Sequence, residues 1–183
     1  MAKVAVLLAD GFETIEALAP LDVLRRGGQD VSLVTINPEP RVTTAHKITL
    51  DCDATIDAFD FTDTDLIVLP GGMPGTTNLR ANARVCELAR EFVASRKLGA
   101  ICAAPSILAE LGLLEGRTAT CYPGFEGDFP EGVRPEALGV YNDGNLVTSS
   151  GPAFAVQFGL ELLRLLAGDA EAERVANGML VKE

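Results

Sequence analysis

Apolar positions along the chain change spacing repeatedly, and each change marks an element. Lys3 to Leu8 is a short run rich in β-branched residues, closed by Ala9-Asp10-Gly11 as a turn. From Glu13 to Arg26, Ile15, Leu18, Leu21 and Leu24 recur at three-residue steps, which predicts an amphipathic helix ending at Gly27-Gly28. Asp30 to Ile36 reads as a second strand, broken by Asn37-Pro38-Glu39-Pro40, and residues 41–60 as short β-pieces or loop. Asp65 to Leu69 is a bounded apolar run that stops at Pro70-Gly71-Gly72. Further on, the pattern predicts a helix over Asn82–Ser95, a strand over Leu98–Ile101, a helix from Pro105 through Leu113 and a strand over Thr118–Cys121. Asp143-Gly144 within residues 140–147 signals a hairpin. A largely apolar helix from Pro152 to Ala167 and a short helix over Ala170–Asn177 complete the chain.

Strands that alternate with helices, and are apolar on both faces, imply the α/β class: a doubly wound, mostly parallel sheet with helices on both faces. No repeat, low-complexity tract or linker interrupts the pattern, so residues 1–183 read as a single domain. Ligands of such sheets bind beyond the carboxyl ends of the strands. That rule selects Ala9–Glu16, Leu69–Gly75 and Ile101–Ser106.

Those segments carry the unusual chemistry. Cys102 stands between a strand and a helix, with Ala100 and Ala104 as small neighbours that relieve a sharp turn, the logic of a nucleophile elbow. A helix start behind a cysteine favours the thiolate, although a packed thiol at a strand end fits the same pattern. Gly71 and Gly72 let backbone approach a ligand closely, and the N–H groups of Gly72 and Ala103 could form a two-donor oxyanion hole. Glu13 and Glu16 lie one turn apart at the first helix, where acids ordinarily just complement the dipole. Pro20, four residues after Glu16, would clash with its carbonyl and suggests a distorted backbone there. His46, the only histidine, sits in a polar loop; Tyr122, Gly151 and Pro152 fall in turns that could line the same crevice.

Composition then excludes whole classes. The net charge of -11, with no basic cluster, repels phosphate backbones, so nucleic-acid binding is not expected. Four cysteines without CxxC spacing and one histidine make no zinc pattern, and no metal is expected. No apolar run approaches the roughly 20 residues of a spanning helix. The N-terminus reads as a strand rather than a secretory signal, so the expected location is cytoplasmic, with free thiols and no membrane partner.

Four blocks in order, LADGFETIEALAPLDVLRRGG, DLIVLPGGMPG, AICAAP and TSSGP, resemble the DJ-one/ThiJ/PfpI superfamily over essentially the whole chain, and most of all its DJ-one/YajL-like branch. The resemblance implies a flavodoxin-like fold, a homodimer and Cys102 as the reactive cysteine. It also implies Glu16, rather than Glu13, as the carboxyl bonded to that cysteine, with Gly72 and Ala103 as the amides facing it and His46 reaching the partner's site. The implied chemistry needs no cofactor and acts on small reactive carbonyls: conversion of methylglyoxal to lactate, deglycation of its adducts, or both. The alternative is a redox sensor or holdase in which Cys102 is an oxidation switch. Protease-type members carry His directly after the cysteine; Ala103 stands there and argues against peptidase action. The DJ-one-like branch places a histidine before a proline near the pocket, where Tyr122 or Cys121 stands before Pro123; if a base there helps catalysis, Tyr122 is a poor substitute and slow turnover is expected.

Overall fold

The computed structural model of the chain describes residues 1–133 and 137–181. The strands are β1 (Lys3–Leu8), β2 (Asp30–Thr35), β3 (Arg41–Thr43), β4 (Thr49–Asp51), β5 (Ala54–Thr55), β6 (Leu66–Leu69), β7 (Lys97–Ile101), β8 (Val140–Asp143) and β9 (Leu146–Ser149). The helices are α1 (Thr14–Arg26), α2 (Gly75–Ala81), α3 (Ala83–Ser95), α4 (Pro105–Glu110), α5 (Ala155–Ala167) and α6 (Asp169–Gly178). Seven strands form one sheet in the order β5-β2-β1-β6-β7-β9-β8, while β3 and β4 form a separate hairpin. Every pairing in the large sheet is parallel except β8 with β9, the hairpin that Asp143-Gly144 signalled. This is the flavodoxin-like α/β fold expected from the pattern.

The period-2 alternation of β1 shows why both faces are covered. Ala5 and Leu7 point into one core, packed with Leu79, Leu88, Phe92 and Ile107. Val4, Val6 and Leu8 point into the other, packed with Val23, Leu24, Phe158 and Leu162. Because β1, β6 and β7 are neighbours, the loops leaving their carboxyl ends lie side by side. Those loops are the three segments singled out above.

Several elements differ from the pattern. The buried stripe of α1 is Glu16, Ala17, Pro20, Val23 and Leu24, whereas Ile15 at 49% exposure lies outside the core. The helix runs unbroken through Pro20, so no interruption follows from it. Thr118–Cys121 is not a strand. Side chains replace the ladder there: Thr120 N–H donates to Thr148 Oγ1 at 2.9 Å, and Thr120 Oγ1 meets Ser150 Oγ at 3.0 Å. Helix α4 stops at Glu110, short of Leu113, because Gly112 takes φ 71° and Leu113 N–H returns to Leu108 O at 2.9 Å, a Schellman turn. Pro152–Phe154 forms a 3-10 turn before α5 begins. Helix α2 was not foreseen: Leu79 is its one large buried apolar residue, and its threonines and asparagine are weak helix formers.

Helices α1 and α5 meet through Gly159, where a Cβ would stand 2.8 Å from Pro20 Cα. Backbone on the other side cannot move aside like a flexible side chain. Gly159→Val is expected to destabilise the fold by about 1–3 kcal/mol, read as a lower urea midpoint with an unchanged slope. An unchanged midpoint would mean that the helices are not in this contact.

Candidate active site

Cys102 is the last residue before the chain turns from β7 into α4, and it has φ 64°, a left-handed conformation that side chains with a Cβ adopt reluctantly. The strain is held from both sides. Cys102 N–H donates to Ser149 O at 2.8 Å, and its carbonyl accepts from Tyr122 N–H at 2.8 Å. Ala100 and Ala104 are fully buried, as the elbow reading requires. Local strain of this kind persists only where the surroundings over-determine it.

The glycine loop after β6 closes the site. A Cβ on Gly71 would lie 2.7 Å from both Cys102 Cβ and Glu16 Oε2, so only glycine fits between them. Gly72 has φ 88°, and a Cβ there would strike Glu13 N at 2.3 Å. The first turn of α1 is fastened to this loop by two bonds. Glu13 N–H donates to Gly71 O at 2.9 Å, and Gly71 N–H donates to Glu16 Oε2 at 2.9 Å. Gly71 thus does more than the turn chemistry of its Pro-Gly-Gly context revealed; the only signal was a second glycine where one suffices for a turn.

Glu16 is 0% exposed, and its Oε1 accepts no bond from a donor among the described residues. Burial pushes this carboxyl up to about 7, against the pull of its hydrogen bonds with Cys102 and Gly71 N–H. The Cys102 thiol is pushed up to about 12, first by burial and then by the charge and hydrogen bond of Glu16. The N–H groups of Ala103 and Gly72 both face the sulfur and pull the other way. This corrects the expectation of a thiolate favoured by a helix start: α4 has six residues, and burial beside a carboxylate outweighs its field. Cysteine and glutamate form a coupled pair that readily gives up one proton and holds the second tightly.

Cys102, Glu16, Gly72 and Ala103 therefore come together as a single constellation. His46 does not join it; its side chain is 65% exposed and its Nδ1 lies 3.5 Å from Glu13 Oε1. Tyr122, Gly151 and Pro152 line a separate apolar cavity of about 290 Å³ with Leu138 and Phe154. There Gly151 makes room for the Tyr122 ring, which would sit 3.1 Å from a Cβ. Among the described residues, no cluster of three or more His, Cys, Asp and Glu side chains could hold a metal, and no helix is long and apolar enough to cross a membrane.

Residues 2–165 match the model of the DJ-1/PfpI family. The chain belongs to the DJ-1/PfpI family. It is 36% identical to protein DJ-1 homolog B of Arabidopsis thaliana over 98% of its own length, which is 42% of that protein. The chain thus spans less than half of that plant relative. It is 32% identical to deglycase PH1704 of Pyrococcus horikoshii, over 90% of this chain and 99% of that one. The structure of oxidized Toxoplasma gondii DJ-1 superposes with a TM-score of 0.94 at 33% identity, covering 100% of both chains.

The raised Glu16 value has a sign that can be checked. The unfolded carboxyl ionises near 4.5 and the buried one near 7, so the native state holds the extra proton between them. Stability from the neutral group is complete below pH 4.5 and is lost as pH rises through about 7. Glu16→Gln mimics the neutral form at every pH. The stability of this variant relative to the native chain is expected to rise from pH 4.5 to 8 in urea titrations; a flat difference would place an ordinary carboxylate at this position.

Proposed function

We propose that the protein is a cofactor-independent cysteine enzyme acting on small α-oxoaldehydes such as methylglyoxal or on their adducts. The observation that carries the reading is a strained, half-buried thiol facing a fully buried carboxyl and two convergent backbone N–H groups. The 32% identity to the Pyrococcus deglycase over 99% of that protein supports the carbonyl chemistry.

The steps follow from the groups present. Once the pair has lost one proton, Glu16 takes the thiol proton as Cys102 Sγ bonds to the aldehyde carbon, giving a hemithioacetal. The N–H groups of Gly72 and Ala103 are the fixed donors available to the oxygen that gains charge. Transfer of the carbon-bound hydrogen to the neighbouring carbonyl carbon, as a proton through an enediolate, reduces that carbon and oxidises the first to a thioester. Water then cleaves the thioester, releasing lactate and regenerating the thiol; one water is consumed and no external electron is needed. A carboxyl near 7 can both accept and return these protons.

Peptide cleavage fits the site poorly. The residue after the nucleophile is Ala103, and the only histidine pairs with Glu13 rather than with Cys102. With no imidazole at Tyr122, the proposed proton transfers fall to Glu16 alone, and slow turnover is the expected result.

Purified protein incubated with methylglyoxal, without glutathione, is expected to form lactate, with kcat/KM rising through a midpoint near pH 7. Cys102→Ser abolishes the product, and Glu16→Gln lowers kcat/KM by about 10²–10⁴-fold, the usual worth of a general acid–base group. Equal lactate from the native chain and Cys102→Ser would end this reading.

A further inference from the structure

The two amides that face Cys102 come from different elements: Gly72 from the loop leading into α2, and Ala103 from the elbow leading into α4. Nothing in the backbone of either loop alone sets the spacing between them. The β6–β7 ladder and Glu16 join the two loops on the sulfur side, and a second side chain links them from the helix side. Arg80, near the end of α2, donates from Nη2 to Ser106 Oγ at 2.5 Å, and its Nε lies 3.1 Å from Glu110 Oε2 at the end of α4. Ser106 Oγ in turn donates to Ala103 O at 2.7 Å. A hydroxyl has one proton to give and lone pairs to receive, so this chain has one consistent direction, from guanidinium through hydroxyl to carbonyl.

The other end of the brace is equally fixed. Thr76 N–H donates to Gly72 O at 2.9 Å, which ties the first turn of α2 to the glycine that presents its amide. Gly75 lies so close to the β1–α1 loop that a Cβ would stand 2.6 Å from Phe12 N. Cys86 Sγ donates to the carbonyl of Arg80 at 3.3 Å and anchors the arginine backbone. The path from Gly72 to Ala103 is therefore continuous through α2, Arg80 and Ser106.

We infer that Arg80 is a positioning residue of the Cys102 site, acting through Ser106 to hold the elbow amide of Ala103 at a set distance from the Gly72 amide. It touches neither the sulfur nor a substrate. The guanidinium donates one hydrogen bond, to Ser106, while the Glu110 carboxylate beside Nε supplies charge attraction without a second hydrogen bond; a lysine keeps the charge but not the planar, directed donor. This inference rests on the proposed use of Cys102 as a nucleophile, yet its test does not require turnover.

The probe is iodoacetamide, with alkylation of the Cys102 peptide followed by mass spectrometry across pH 5–10 in the full-length chain. Arg80→Met and Ser106→Ala are each expected to slow Cys102 alkylation at pH 7 by about tenfold, part of the roughly hundredfold that a 1 Å misplacement can cost. Both should lower the alkylation rate throughout the range above about pH 7, where the pair has lost its first proton, because the sulfur loses donors that stabilise its charge. Arg80→Lys should recover part of the rate. A brace that served stability alone would lower the thermal midpoint and leave the alkylation profile where it was. Folded Arg80→Met and Ser106→Ala variants whose profiles overlay the native one would overturn the inference; if Arg80→Met does not fold, Ser106→Ala and Arg80→Lys decide it. Absence of lactate from the native chain would remove the proposed activity and leave this comparison intact.

Discussion

A carboxyl group taken out of water must keep its proton or find donors to replace the solvent, and Glu16 has only part of what an ionised group needs. One oxygen accepts the Gly71 N–H; the other has no donor among the described residues, and the Cys102 thiol is the titratable side chain hydrogen-bonded to the carboxyl. The pair is thereby forced to share its protons, with the carboxyl raised to about 7 and the thiol above its usual range. The rest of the site serves this sharing. Two glycines bring the loop close enough, an αL cysteine aims its sulfur inward, and two amides offset part of the cost of the sulfur's charge.

The fold makes the arrangement possible by placing β1, β6 and β7 side by side, so that three separate loops converge at one end of the sheet. The contributions are divided among them: the start of α1 gives the carboxyl, the glycine loop one amide, and the elbow the thiol and the second amide. Their relative positions depend on long-range contacts, from Glu13 N–H on Gly71 O to Arg80 on Ser106, and not on any one segment. A thiol raised by burial and an ionised neighbour is a poor nucleophile at rest, and in the proposed reaction it becomes effective as its proton leaves for Glu16. A half-buried sulfur fits the small electrophiles of that proposal.

Much of this was legible from residue order, and the failures have physical causes. The central strands are apolar on both faces, and the elbow shows itself through Ala100, Ala104 and Pro105. The inward face of α1 was misread because its core stripe runs through Glu16 and Pro20, residues that a hydrophobic count discards, while Ile15 lies outside the core. For the same reason residue spacing could not choose Glu16 over Glu13; the family resemblance did. Thr118–Cys121 resembles a strand because its threonines have strand propensity, yet the Thr118 and Thr120 N–H groups that a ladder would have used donate to the Asp143 and Thr148 side chains. Helix α2 is held by what it packs on, Phe12 and the β1–α1 loop, and that support is invisible in seven residues with one large apolar side chain. The thiol's raised value was missed because a helix start is visible in sequence and the depth of burial is not.

The shared proton is most directly tested by a carbon-13 NMR titration of the Glu16 side-chain carboxyl, with the Cys102 Cβ observed in the same samples. The account predicts a carboxyl midpoint near 7, a Cys102 signal that moves with the same midpoint, and a still higher Glu16 value in Cys102→Ala, where the hydrogen bond that lowers it is gone. A carboxyl that titrates near 4.5, with Cys102 unresponsive to it, would contradict the account.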